Sequence, residues 1–211
     1  DLDEILKLAL VEKPNRVVIT GDLIDKIAWL PQVCERLTTF AKQIPDGVDF
    51  ILGNHEYHHD VNKVLDELKH NTPMNILVNS NIQIMGGKQP VYIAGVAYDN
   101  DREKEKREAM IDKALSGIPD YAFVILLAHH PEFFEEAIER KIPLTLSGHT
   151  HGGQIVFMGM PLVPTGTPYT KGRYVEEQSV CYVNNGSGHW FPIRINCPRE
   201  ITVITFFDGV A

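Results

Sequence analysis

Four short apolar runs, each ending in a cluster of glycine and ligand-type residues, constrain this chain more than any other feature. Arg16 to Thr20 runs into Gly21-Asp22, and Val48 to Leu52 into Gly53-Asn54-His55-Glu56. Tyr121 to Ala128 runs into His129-His130-Pro131, and Ile142 to Leu146 into Ser147-Gly148-His149-Thr150-His151-Gly152-Gly153. Open α/β sheets bind ligands beyond the carboxyl ends of their strands. Read as strands, the four runs bring their clusters to one place.

The intervening segments support that reading. Leu2, Ile5, Leu6, Ala9 and Leu10 recur at helical spacing, with Asp1 or Asp3 as N-cap and Pro14 beyond the end. Pro31 to Gln43, Asp60 to about His70, Asp101 to Leu115 and Glu132 to Arg140 read as further helices, the last opened by Pro131. The charged third one is a solvated helix with Ala109, Ile111 or Leu115 turned inward. Strand-like pieces lie at Ile76–Val78, Ile82–Met85 and Val91–Val96, then at Ile155–Met158, Val180–Val183 and Ile201–Phe207. With no repeat, low-complexity tract or linker, one α/β domain over residues 1–211 is the economical organisation.

Composition enters by exclusion. At 44% hydrophobic residues the chain is neither disordered nor a coiled-coil rod. With 28 acidic against 20 basic residues and a formal charge of −8, it lacks the basic face of a sequence-independent nucleic-acid binder. An anionic substrate stays open, because bound cations reverse the local sign. Cys34, Cys181 and Cys197 are far apart, which favours free thiols, and hence a reducing, cytoplasmic compartment, over a disulfide framework or thiolate zinc site. The longest apolar run, Ala122 to Ala128, is far short of the ~18 residues of a membrane span.

The clusters carry the chemistry. Asp22 follows a glycine that lets the backbone approach a ligand closely, and its carboxylate could bridge two cations; an isolated Gly-Asp is otherwise a turn or a cap. Asn54 offers a neutral hard oxygen, and His55 an acid or a hydrogen-bond donor to phosphate. Asp25 reads as a loop-amide acceptor, His58 and His59 as loop residues, and His70 and His189 as structural. His149 and His151 alternate in direction, so they face two metals more readily than they chelate one. His129 ends a buried strand where an imidazole needs a partner. One carboxylate, one amide oxygen and three imidazoles suit Mn²⁺, Fe, Zn²⁺ or Co²⁺ better than Ca²⁺. Two such ions about 3.5–4 Å apart can bridge a hydroxide and clamp a phosphoryl group.

In order, Gly-Asp-x-x-Asp, Gly-Asn-His-Glu, His-x-Pro and Gly-His-Thr-His resemble the motifs of the calcineurin-like metallophosphoesterases. The resemblance implies a four-layer αββα fold, a β-sandwich of two mixed sheets flanked by helices. It implies two divalent metal ions, manganese favoured, and hydrolysis of a phosphodiester, phosphomonoester or pyrophosphate. It further implies that Asp22 bridges the metals, that Asn54, His129 and His149 complete one site and that His151 belongs to the other. His55 then contacts the scissile phosphate and stabilises or protonates the leaving oxygen. Gly148 to Gln154 and Asn184 to Arg194 are similar to a bacterial branch that contains phosphodiesterases, among them enzymes cleaving the pyrophosphate of UDP-diacylglucosamine. Members of that branch often carry an N-terminal membrane anchor, so the partners implied are a phosphate ester and a peripheral membrane or lipid-linked substrate.

One departure stands out. The family begins with a strand ending in Asp-x-His, which supplies two ligands of the first metal site, and no Asp-x-His precedes Asp22. Asp1-Leu2-Asp3 is a poor substitute. The expectation is a chain lacking its first strand, with the motif about ten residues upstream; the other reading is natural loss of one site. A non-catalytic scaffold with degraded metal chemistry is the competing function. Retention of Asn54, His55, His129, His149 and His151 argues against it. Trp190, Phe191, Tyr169, Tyr174 and Tyr98 read as packing more than as a substrate groove, and Lys171, Arg173 and Arg194 as surface charge.

Overall fold

Alternation along short strands sorts the apolar side chains into three separate layers. The computed structural model describes residues 2–84, 89–97, 103–189 and 191–207. In chain order the elements are α1 (Leu2–Val11), β1 (Val17–Ile19), α2 (Leu30–Ala41), β2 (Val48–Phe50), α3 (Asn54–Tyr57), α4 (Val61–Asn71), β3 (Asn75–Ile76), β4 (Ser80–Ile84) and β5 (Val91–Gly95). They continue with α5 (Lys104–Leu115), β6 (Phe123–Leu127), α6 (Phe133–Glu139), β7 (Leu144–Ser147), β8 (Val156–Phe157), β9 (Met160–Pro161), β10 (Gly172–Glu176) and β11 (Ser179–Val183).

One sheet has the order β1-β2-β3 and the other β10-β11-β7-β6-β5-β4. On β6, Val124 and Leu126 face one apolar cluster while Ile125 and Leu127 face another, as a two-residue period requires. The cluster between the sheets joins Ile51, Leu77, Ile93, Ile125, Leu127 and Leu146. The outer face of the small sheet packs Val48 and Phe50 against Leu37, Phe40, Val64 and Leu68 of α2 and α4, with Leu2, Leu6, Ala9 and Leu10 of α1 beside them. The outer face of the large sheet packs on Ile111 and Ala114 of α5 and on Phe133, Phe134 and Ala137 of α6. The order helix, sheet, sheet, helix is the expected one.

The helices follow their sequence signals. Pro31 sits in the first turn of α2, where its missing N–H costs nothing. The Asp60 side chain caps α4 by accepting from the Asn62 and Lys63 amides at 3.1 and 3.3 Å.

Several expectations are corrected. The large sheet is mixed, but the pairings of the small one are all parallel. Ala109 is exposed, and Ala114 takes its inward place beside Ile111, because helical spacing from Ile111 selects residue 114. The helix after Pro131 begins at Phe133 rather than Glu132. β10 was not anticipated; it pairs antiparallel with β11 from Gly172↔Val183 to Glu176↔Ser179. Ile201–Phe207 joins no ladder among the described strands. A strand exists only through a neighbour's backbone, and here the segment is tied by side chains instead: Thr202 accepts from Asn184 at 2.7 Å, and Glu200 holds Tyr182 and the Asn185 amide. Asp1, Met85, Tyr98, Asp101 and Trp190, all named above, lie outside the described residues. Cys34, Cys181 and Cys197 are buried and free.

One ion pair locks α5 to α6. The Glu136 carboxylate, fully buried, takes three N–H contacts from the Arg107 guanidinium at 2.7–2.9 Å. Arg107→Ala strands that carboxylate in apolar surroundings, so urea unfolding should show a loss of about 3–5 kcal/mol. A loss under about 1 kcal/mol would mean water reaches Glu136.

Candidate metal centre

Two glycines let the loops after β1 and β2 meet. A Cβ on Gly53 would stand 2.3 Å from Asp22 Oδ1 and 2.4 Å from Asp22 N; one on Gly21 would stand 2.6 Å from both Gly53 N and His129 Nδ1. Gly53 has φ −102° and ψ −174°, open to any residue, so it is glycine for room alone. Gly21, at φ +95°, needs glycine for conformation as well.

Glu56 ties the loops together. Its buried carboxylate accepts four backbone N–H groups: Gly53 at 2.7 Å, Leu23 at 2.7 Å, Ile24 at 2.8 Å and Asp22 at 3.0 Å. Burial, with the neighbouring Asp22 charge, pushes its pKa up, and the Ile24 and Gly53 amides pull the other way.

Above this base four donor atoms converge. His129 Nε2 lies 3.0 Å from Asn54 Oδ1, and 3.2 Å from both His149 Nδ1 and Asp22 Oδ2. His149 Nδ1 lies 2.9 Å from Asn54 Oδ1. His129 Nδ1 donates to the Thr20 carbonyl at 2.7 Å, which leaves Nε2 as the lone-pair nitrogen of the neutral ring. Four electron-rich atoms so close repel one another unless a proton or cation lies between them. A cation with ligand bonds of about 2.1 Å sets neighbouring octahedral ligands roughly 3.0 Å apart. The donor set fits such an ion, two oxygens and two imidazole nitrogens, in spacing and in chemistry.

Asp22 and His129 set each other's protonation. Burial alone would raise the Asp22 carboxyl, but the His129 hydrogen bond and charge, with the His55 amide at 2.9 Å, hold it well below the usual carboxylate range. Burial alone would lower His129, but Asp22 overrides it and raises the imidazole pKa. Asp22, His149 and His151 have φ of 56°, 67° and 51°, in the left-handed region, which Asp and His enter more readily than most side chains do but still at some cost. His130, not singled out beforehand, belongs to the cluster with His129 and His149, and its ring lies 3.9 Å from the His149 ring.

The remaining two expected residues stand apart. His55 Nδ1 lies 3.1 Å from Asp25 Oδ1, so Asp25 orients the ring and Nε2 is left for another partner. His151 is half-buried beside Arg194, and desolvation followed by that positive charge pushes its pKa down to about 4. Arg194 Nη2 donates to His151 Nδ1 at 3.1 Å. A guanidinium only donates, so the neutral ring carries its proton on Nε2.

A family model described as calcineurin-like phosphoesterase matches residues 1–153, a range that contains all six expected site residues. The chain belongs to that family. An uncharacterized metallophosphoesterase of Campylobacter jejuni is 36% identical over 96% of this chain and 53% of its own length. A zebrafish (Danio rerio) protein named as a transmembrane protein with metallophosphoesterase domain is 31% identical over 96% of this chain and 48% of its own. The chain thus spans about half the length of these relatives. The solved NAD nucleotidase of Haemophilus influenzae matches in fold, with a TM-score of 0.50 at 17% identity, over 86% of this chain and 38% of that one. No helix among the described residues is long and apolar enough to cross a membrane.

Besides His130, three residues of this chain have contacts that the sequence reading did not assign. Glu56 follows Gly53 at the spacing of a capping box, a legible signal. Asp25 and Arg194 act on residues 30 and 43 positions away, which no local pattern reports. The structure gives His58 a ring contact with His55, His59 a bond to the Asp25 carbonyl and His70 a bond to the Asp66 carbonyl; His189 is exposed. Tyr169 is core, and the Tyr174 hydroxyl receives the Thr170 and Lys171 amides. Glu56→Gln turns an amide toward four donors. It should weaken Mn²⁺ binding about 10–100-fold by isothermal titration, the usual scale for residues that support ligands; an unchanged affinity would show that the loops hold without it.

Proposed function

We propose that this chain is a metal-dependent hydrolase of phosphate esters, a phosphodiester, phosphomonoester or pyrophosphate being the bond cut. One observation carries the reading: four mutually facing donor atoms stand beside a histidine that is anchored through one nitrogen and surplus to ligation. Asp22, Asn54, His129 and His149 would hold a divalent cation, with manganese our choice. A cation bound there supplies Lewis-acid stabilisation of phosphoryl oxygens and lowers the pKa of coordinated water.

The chain's own residues do the rest. Asp25 accepts from His55 Nδ1–H and fixes the ring's rotation. When the ring is protonated both nitrogens donate, and Nε2–H is the hydrogen available to a leaving oxygen. We propose a membrane-linked substrate, in keeping with the relative named as a transmembrane protein.

A second cation would rely on His151 and a share of Asp22. For Nε2 of His151 to ligate, its proton must leave and the ring must give up accepting from Arg194. We therefore propose one firmly held and one weakly held ion in this chain. After dialysis, elemental analysis should find about one Mn²⁺ per chain; two would mean that other residues complete the second position.

His55→Ala should keep that metal and lose on the order of 10²–10⁴ in kcat on bis-p-nitrophenyl phosphate, the scale of a positioned acid. Parallel loss of metal and turnover would make His55 a ligand instead. Absence of Mn²⁺-dependent hydrolysis of phosphodiester, phosphomonoester and pyrophosphate substrates by the 211-residue chain would overturn the reading.

A further inference from the structure

Beside the centre the chain builds an apolar hairpin that the proposed hydrolysis does not use. β8 and β9 pair with Val156 opposite Pro161 and Phe157 opposite Met160, around the two-residue turn Met158-Gly159. Both turn residues have positive φ, 48° and 83°, as a type I′ turn demands. Asn or Asp is favoured at the first of these positions; here it is methionine, 81% exposed. Backbone preference and water both disfavour that choice. An apolar medium at the tip favours it.

The exposure continues around the tip. Phe157, Met160 and Leu162 are each 60–65% exposed, and Ile193 and Ile195 about half. The patch is rigidly mounted: Val156 N donates to Ile195 O at 2.9 Å, Leu162 N to Ile155 O at 2.8 Å, and the Asn196 side chain to Val156 O at 3.0 Å. Pro161 packs on Gly153, where a Cβ would come within 2.4 Å of it. That contact is two residues past His151, so the hairpin's root abuts the centre.

Charge selects the partner. From Arg140 to Arg199 there are six basic residues and only two acidic ones, net +4 in a chain of −8. The two acids, Glu176 and Glu177, sit at the β10–β11 turn. Ladder register sets Gly172 opposite Val183 and Val183 beside Ser147, so that turn lies at the end of the sheet away from the centre. Lys171 and Arg173 lie at the near end. Glu200, next in the chain, is taken up by the Tyr182 hydroxyl and the Asn185 amide. An apolar tip in a segment where cations outnumber carboxylates is complementary to an anionic bilayer, with acyl chains for the tip and lipid phosphates for the cations.

We propose that the β8–β9 hairpin is a membrane-docking element, its Phe157-Met158-Gly159-Met160 tip entering the headgroup–acyl boundary of an anionic bilayer while Lys171 and Arg173 meet lipid phosphates. Co-sedimentation of the 211-residue chain with vesicles tests it. Binding is expected to phosphatidylglycerol-containing vesicles and to be much weaker to pure phosphatidylcholine. Phe157→Asp with Met158→Asp should weaken it at least about tenfold and leave the unfolding midpoint unchanged, since both side chains are exposed. Lys171→Ala with Arg173→Ala should remove the salt-sensitive part. Three results overturn the proposal: no binding to anionic vesicles, equal binding by the aspartate variant, or self-association of the wild type that the aspartates abolish, which would make the patch an interface between copies. Turnover of a soluble ester by the aspartate variant should match the wild type, so failure of docking and failure of the hydrolase reading are read separately.

Discussion

The centre depends on one buried carboxylate. Glu56 gathers amides from both the β1 and β2 loops, and those loops carry Asp22 and Asn54. Without an acceptor these four N–H groups would be buried dipoles with their positive ends inward, each costing of the order of 1–3 kcal/mol unpaired. Satisfied together, they define where two strand ends stop and how closely they approach. The glycines follow from that approach, since no side chain fits where Gly53 passes Asp22.

A second link joins the two sheets. The His129 ring leaves the end of β6 in the large sheet and donates to the carbonyl of Thr20, which follows β1 in the small one. The bond fixes the tautomer and spans the gap, so the position of one sheet relative to the other is written into the orientation of a lone pair. His149, one residue beyond Gly148 at the end of β7, meets the same Asn54 oxygen. Left-handed backbone at Asp22, His149 and His151 costs about 1–3 kcal/mol at each residue. The same backbone region is entered elsewhere, at Lys13, Asn79 and Asn196 among others, so the strain is not confined to the centre.

Charge is distributed with equal economy. On the face of α5 and α6 the charges are paired, Lys104, Arg107 and Arg140 meeting Glu139, Glu136 and Asp112. At the centre Glu56 is buried and Asp22 half-buried, and both accept hydrogen bonds. The segments that frame it, from Arg140 to Arg199, are nearly free of carboxylates, which leaves an anionic ligand or surface little repulsion to overcome.

Periodicity and strand-end composition made much of this legible in the sequence. Helical spacing marks α1, α2 and α4 to within a few residues, and the strand-end rule points to Asp22, Asn54, His129 and His149 together with His55 and His151, which the structure sets apart. Those are local signals, because a helix face and a strand terminus are properties of consecutive residues. Partners were another matter. The sequence marks Ile201–Phe207 as apolar and alternating, yet pairing depends on a neighbour, and among the described strands it has none. Asp25 against His55, Arg194 against His151 and the four amides on Glu56 are meetings between segments distant in the chain. By itself the sequence determined which residues carry ligating chemistry and which faces are apolar. Only the tertiary structure decided which lone pair faces which, because orientation is set by contacts that exist only once the two sheets have packed.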